Sequence, residues 1–339
     1  MTKLKISIKC TFRHVLIALF LPAFALAQND AMPAPAGEVT GAGNYIHIVE
    51  DLDKTLAFYH ALLGAEPRGG MEPREFGSIE QVGQMYNALG AEFRGATIPV
   101  PNTDLGMEFL EWRGVQRPIL EARFYDPGSP VFLLFVRDIN VAVDAVINNG
   151  GSIVTPSGEP VGTGRQFIFV QDPDGYFIEL LQLDPTPATE QITNVLYAAF
   201  RFTVADANQS AEFYNVAFGF DFPEADDFND DALLGAITGL GIARSRLLSG
   251  MVPGSNLNVE VLEFVKADKQ KVQQSLPAVG SSLLRIFVRD LDISVSKALR
   301  AGGVLAANNE QAVRFENGNR MQILEDRDGL LLQLVERSP

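Results

Sequence analysis

Cysteine is almost missing from this chain. Its 339 residues include one, Cys10, which precedes an apolar run instead of following it, so it is not placed as a lipid-anchor cysteine. Disulfides, a thiolate nucleophile and a cysteine metal site are therefore excluded from the rest of the protein. Histidine is nearly as scarce, with only His14, His47 and His60. Basic residues are in deficit: 27 Lys and Arg face 42 Asp and Glu, a formal charge of −15. Such a surface repels nucleic acid and anionic membranes. There is no phosphate loop, because the Gly-rich stretches "GTGR" (162–165) and "GLGIAR" (239–244) precede strand-like runs and open no helix. No Ser-His-Asp arrangement is apparent.

The first segment reads as an address. Lys3, Lys5, Lys9 and Arg13 precede the apolar run 15–27, which ends in Ala25-Leu26-Ala27. A basic region, a short apolar run and a small-residue site describe a secretory signal peptide over 1–27. The run is short for a membrane span, which needs ~20 apolar residues. The expectation is a periplasmic or secreted protein with no stable membrane anchor after cleavage before Gln28. Removing four basic residues from 27 leaves 23 against 42, so the mature charge is −19. Residues 28–43, rich in Ala, Pro and Gly, read as a flexible leader.

The remainder repeats itself. "IVEDLDKTLAFYHALLGAEP" (48–67) returns as "TVADANQSAEFYNVAFGFDF" (203–222). "VRDINVAVDAVINNGG" (136–151) returns as "VRDLDISVSKALRAGG" (288–303). "FVQDPDGYFIELLQL" (169–183) returns as "ILEDRDGLLLQLVER" (323–337). The order is A-B-A-B, marked by Asp51, Asp138, Asp206 and Asp290 as helix N-caps. Each unit reads as strand, helix and further strands, with "DPDG" (172–175) and "DRDG" (326–329) as hairpin turns. The Pro/Thr-rich stretch 185–194 is the natural boundary between a first domain, 44–184, and a second, 195–339. Segments 70–90 and 223–240 are variable insertions, the kind of loop that carries specificity.

These segments together resemble the vicinal oxygen chelate superfamily, the glyoxalase/bleomycin-resistance/dioxygenase fold. The resemblance implies an α+β protein of four βαβββ modules, forming two open barrels. In that family, metal ligands come from the first and last strands of each module. Aligned on the repeated Asp residues, those positions are His47, Glu108, Leu134 and Glu179 in the first domain. In the second they are Phe202, Glu260, Ile286 and Gln333, a degenerate set expected to hold no catalytic metal.

Strand parity gives the first set a physical case. Glu179 shares a face with Phe177 and Leu181, Glu108 with Leu110 and Trp112, and His47 with Tyr45 and Val49. A carboxylate among such neighbours is costly unless it is paired or binds a cation. One imidazole and two carboxylates suit a divalent metal such as Zn, Mn, Fe or Ni. His47, Glu108 and Glu179 are thus the expected metal ligands, with Glu179 or Glu108 doubling as catalytic base. Leu134 departs from the pattern and leaves three protein ligands. With His60 placed on a helix, a two-histidine iron site of the ring-cleaving dioxygenase type cannot form.

Two functions follow. One is an exported, metal-dependent lyase or isomerase acting on a small oxygenated molecule, with the 23 Phe residues favouring an aromatic or apolar one. The other is a metal-free protein of the bleomycin-resistance type that binds or sequesters a small molecule.

Overall fold

The computed structural model describes residues 38–184, 186, 193–266, 268–306 and 311–338. The segment read as a signal peptide and most of the leader lie outside them, as does most of the 185–194 boundary. Among the described residues no helix is long and apolar enough to cross a membrane.

Four modules appear in chain order. The first is β1 (Val39–Ile48), α1 (Leu52–Leu63), α2 (Glu80–Met85), β2 (Glu92–Pro99) and β3 (Gly106–Arg113). The second is β4 (Pro130–Val136), α3 (Ile139–Asn148), β5 (Ser152–Ile153), β6 (Arg165–Gln171) and β7 (Phe177–Leu183). The third is β8 (Val195–Val204), α4 (Ala207–Phe218), β9 (Asn229–Asp231), α5 (Ala232–Thr238), β10 (Ala243–Met251) and β11 (Asn258–Phe264). The fourth is β12 (Ser282–Val288), α6 (Leu291–Arg300), β13 (Val304–Leu305), β14 (Val313–Arg314), β15 (Arg320–Glu325) and β16 (Leu331–Glu336). The insertions at 70–90 and 223–240 carry the short helices α2 and α5, which the sequence pattern did not announce.

Local chemistry explains why each module looks alike. Asp51, Asp138, Asp206 and Asp290 sit in extended backbone, and each side chain accepts amide N–H groups of the following turn. That satisfies donors which an uncapped helix leaves open. The Gly-Gly pair after α3 has two separate reasons. Gly150 takes φ +89°, while a Cβ on Gly151 would lie 2.6 Å from the Gln171 carbonyl and 2.8 Å from Phe58. In both hairpin turns the leading Asp holds two amides: Asp172 accepts from Asp174 and Tyr176, and Asp326 from Asp328 and Leu330.

The modules pair crosswise. One eight-stranded sheet runs β13-β15-β16-β12-β1-β3-β2, with β14 added on β15, and joins the fourth module to the first. The other runs β5-β6-β7-β4-β8-β11-β10-β9 and joins the second module to the third. The seams are antiparallel: β1 on β12 and β4 on β8. The halves 44–184 and 195–339 therefore share both sheets, and neither builds a barrel of its own. The first strand of every module offers an unpaired edge that must find a partner. Any other module's first strand can satisfy it, so the repeat pattern alone does not select the partner.

Both sheets bury one face in a shared core with the helices, built from residues such as Tyr45, Phe109, Phe132, Leu134, Ile178, Phe200, Phe202 and Ile286. Their opposite faces each carry a separate cluster. Ile46, Leu110, Trp112, Leu283 and Leu331 line one, with Met85 and Tyr86 from the 70–90 insertion. Phe124, Val131, Leu133, Phe169, Phe177, Leu262 and Phe264 line the other, with Ile237 from the 223–240 insertion. These outer faces are where each sheet presents polar groups among apolar ones.

Candidate functional site

Alternation along the strands decides which residues reach the outer faces. In β3, Glu108 shares parity with Leu110 and Trp112 of the first outer cluster. In β7, Glu179 alternates with Ile178 and Leu180 of the shared core, so it faces the second outer cluster with Phe177. Glu108 and Glu179 consequently belong to different sheets and different centres. His47 belongs to neither. It shares parity with Tyr45 and Val49, which face the shared core. The expected His47, Glu108, Glu179 set does not converge, because the face of His47 that looked inward is the helix-packed face.

Leu134, Phe202 and Ile286 make the same correction, since all three face the shared core. The outer positions beside them are Leu133, Arg201 and Arg285. Glu260 and Gln333 face outward, between Val259 and Val261 and between Leu332 and Leu334 of the shared core.

The second sheet's centre is an arginine between two carboxylates. Arg201 Nε and Nη2 each lie 2.8 Å from Glu260 Oε2, and Nη1 donates to Glu179. The side chains of Arg201, Glu179 and Glu260 are 11%, 5% and 9% exposed. Burial pushes the Glu179 carboxyl above the usual range, an effect that the Arg201 charge opposes without cancelling. Burial by itself lowers the Arg201 guanidinium, but Glu179 and Glu260 more than reverse this and raise it. The group is permanently charged.

The first sheet's centre follows the same plan. Arg285 Nη1 lies 2.8 Å from Glu108 Oε2, and Nε donates to the Gln333 side-chain carbonyl. Asn44 Nδ2 donates to Glu108 at 2.8 Å, and Gln333 Nε2 reaches the Met85 sulfur at 3.5 Å. Trp112, which lies in the apolar cluster of this face, has a buried indole nitrogen without a hydrogen-bond partner. This centre is more open, with Arg285 and Glu108 side chains 17% and 21% exposed.

Sequence reasoning missed Arg201 and Arg285, although a signal was there. Each lies in an apolar strand, "VLYAAFRFTV" and "SLLRIFV". The argument that a charge in such a run needs a partner applies to arginine as much as to glutamate.

His47 sits in a third constellation, inside the shared core. Its Nδ1 is 3.1 Å from Ser282 Oγ, and its Nε2 comes within 3.5 Å of Asp172 Oδ2 without forming a hydrogen bond. Asp172 also accepts the Tyr59 hydroxyl, and Asp174 accepts Thr55. Burial and then the Asp172 charge push the Tyr59 phenol well above its usual value, which keeps it a donor. One ligand atom each from His47, Asp172 and Asp174 lie within 4.8 Å of one another, a set able to hold a divalent ion. The pseudo-equivalent position gives a comparison. There Tyr214 donates to Asp326 and Ser210 to Asp328, while Phe202 stacks near Tyr214. The Asp pair thus anchors turn to helix whether or not an imidazole is present. His60 lies on α1, with Nδ1 3.1 Å from the Ala65 carbonyl, away from all three groups.

The metal expected at His47, Glu108 and Glu179 does not fit this arrangement. The two carboxylates are held by separate arginines, and the imidazole is across a sheet from either.

Comparison with known proteins agrees with the fold. The sequence model of the Glyoxalase/Bleomycin resistance protein/Dioxygenase superfamily matches residues 43–180. A lactoylglutathione lyase of Arabidopsis thaliana is 27% identical over 180 residues, covering 52% of this chain and 54% of that protein. A probable lactoylglutathione lyase of Synechocystis is 32% identical over 137 residues, covering 40% of this chain and 88% of that one. The chain spans only about half to three-fifths of the longer plant relatives. Among solved structures, glyoxalase I from Zea mays superposes with a TM-score of 0.52 at 18% identity, over 88% of this chain and 92% of the other. At that identity the likeness is one of fold.

Proposed function

Since the chain belongs to the Glyoxalase/Bleomycin resistance protein/Dioxygenase superfamily, we propose that it is a lyase- or isomerase-type enzyme acting on a small oxygenated molecule at the Glu179–Arg201–Glu260 centre. One observation carries this reading. Glu179 is a buried carboxylate raised above its usual range, sharing one guanidinium with a second carboxylate. Strongly perturbed acids beside a fixed charge are what proton transfer requires.

The chemistry balances without a redox partner. A carboxylate of the pair takes the proton from a carbon next to a carbonyl. The C–H electron pair moves into the carbonyl, and the enolate oxygen accepts an N–H of Arg201. Where the carbon that lost the proton carries a hydroxyl, that hydroxyl's proton passes to the enolate oxygen, the carboxylic acid returns its proton to the former carbonyl carbon, and the carbonyl is left on the other carbon. Phe124, Phe169 and Phe177 supply an apolar wall suited to an aromatic or apolar ligand. The names of the relatives support the reaction class, and lactoylglutathione is the first compound to try.

Proton exchange in D2O, followed by NMR on lactoylglutathione and small 2-oxo and 2-hydroxy compounds, tests the proposal. The expected loss in Glu179→Gln is roughly 10²-fold or more. Wild-type protein that binds such a compound yet exchanges no proton would instead be the metal-free binding protein. An active Glu179→Gln variant would remove the reading altogether.

The partnerless Nε2 of His47 favours a second reading, a metal-dependent lyase-type activity with a divalent ion at His47, Asp172 and Asp174. Metal content of wild type against His47→Asn, after chelation and reloading, separates the two. Export remains part of the proposal, on the strength of the basic and apolar segments in 1–27. Mature protein recovered outside the cytoplasm and beginning at Gln28 is the expected outcome.

A further inference from the structure

We infer that in both outer-face centres an arginine occupies the position of a bound cation, so that these centres are closed to divalent metals by construction and open to them once the arginine is removed. In each, a guanidinium lies between side-chain oxygens brought from two different modules. Arg201 bridges Glu179 of the second module and Glu260 of the third. Arg285 bridges Glu108 of the first and Gln333 of the fourth.

The two arginines hold the same place in their modules, five residues before the capping Asp206 and Asp290. In the second sheet, Arg201 lies on β8 directly beside Glu260 of β11, and the matching position on β4 beside Glu179 is Leu133. The first sheet repeats this arrangement. Arg285 lies on β12 beside Gln333 of β16, and the position on β1 beside Glu108 is Ile46. In each sheet the later module's first strand supplies the guanidinium, beside the last-strand residue of its own module, and the carboxylate it reaches across the seam belongs to the earlier module.

The chemistry of exclusion is direct. At the Glu179–Glu260 centre two carboxylates at one point attract a divalent ion, and at the other the Glu108 carboxylate is joined by the amide oxygen of Gln333. A guanidinium hydrogen-bonded to both takes up their lone pairs and adds a positive charge that repels the incoming ion. It needs no loading and cannot lose a proton. The inference stands on this geometry alone and requires no catalytic activity.

Cobalt(II) and zinc titrations of the full mature chain test it, read by visible absorption and by bound metal per chain. Wild type is expected to bind no ion whose retention depends on Glu179 or Glu260, as shown by unchanged binding in Glu179→Gln and Glu260→Gln. Arg201→Ala is expected to gain one ion per chain, at least tenfold tighter than any site at that position in wild type. Adding Glu179→Gln to that variant should abolish the gain. Arg201→His, which leaves an imidazole among the carboxylates, carries the same expectation if the alanine variant does not fold. Metal bound by wild type and lost in Glu179→Gln would overturn the inference, as would a folded Arg201 variant that gains none. An ion lost only on His47→Asn belongs to the other constellation and leaves wild type as expected at the arginine centres.

Discussion

Replacing Arg201 by leucine should be among the most damaging single changes in the protein, and its cost should depend on pH in a definite direction. The substitution keeps apolar bulk in β8 but leaves Glu179 and Glu260 facing each other with no cation. Removing one member of a buried ion pair typically costs ~3–5 kcal/mol. The high end of that range applies here, because the three side chains are 11%, 5% and 9% exposed and two like charges remain. Without Arg201 the Glu179 carboxyl, already raised by burial, loses the charge that opposes the rise. A raised carboxyl favours the folded state when protonated, so its contribution is intact at low pH and lost as pH rises through the folded value. Arg201→Leu should therefore lose most stability near pH 8 and recover part of it near pH 5. Urea unfolding of wild type and variant at both values measures the difference. A parallel loss is expected for Arg285→Leu, reduced to about 1–2 kcal/mol because that pair is more exposed and contains one carboxylate. A cost for Arg201→Leu below about 1 kcal/mol at pH 8, the range of surface pairs, would refute the reasoning. So would a larger loss at pH 5 than at pH 8.

Asp326 offers a second pH test. Burial, then the charge of Asp328, push its carboxyl up to about 7. By the same sign argument its contribution is full at acid pH and lost as pH rises through 7, so Asp326→Asn should flatten the stability profile between pH 5 and 8. The paired glycines predict an asymmetry between repeats. A Cβ at Gly151 meets atoms at 2.6, 2.7 and 2.8 Å, whereas at Gly303 the nearest are at 3.1 Å. Gly151→Ala should cost about 1–3 kcal/mol by overpacking, and Gly303→Ala clearly less, as read from denaturation midpoints.

The elements were legible in the sequence because each rests on local chemistry. An Asp before an apolar helical stripe caps its own amides, and Asp-x-Asp-Gly turns fold on the leading carboxylate. Module pairing was not legible, since β1, β4, β8 and β12 carry similar apolar patterns and any two can share an edge. The site was half legible. Alternation put Glu108 and Glu179 on the outer faces of their strands, and alignment of the repeats picked out Glu260 and Gln333, which also face outward. Alternation separates two faces but does not say which one is outer, and where both are apolar, as in β1, the choice for His47 went the wrong way. The arginines were the stronger clue. A guanidinium inside an apolar strand demands a carboxylate opposite, and Arg201 with Glu260 of its own module would have marked one centre, whereas Arg285 reaches Glu108 only across the β1–β12 seam.

Crosswise pairing also sets an order of assembly. The β4–β8 seam closes between consecutive modules, with α3 and β5 to β7 between the two strands, so the second sheet can form as soon as the third module is made. Strand β1 pairs on one edge with β3 of its own module and finds the partner for its other edge only at β12, where His47 lies beside Ser282. Contacts so distant along the chain form slowly, and until then the edge of β1 stays open to pairing with another chain. Aggregation during synthesis should therefore begin at the first module, and a chain stopped after β11 would keep a complete second sheet while leaving the outer edge of β1 open.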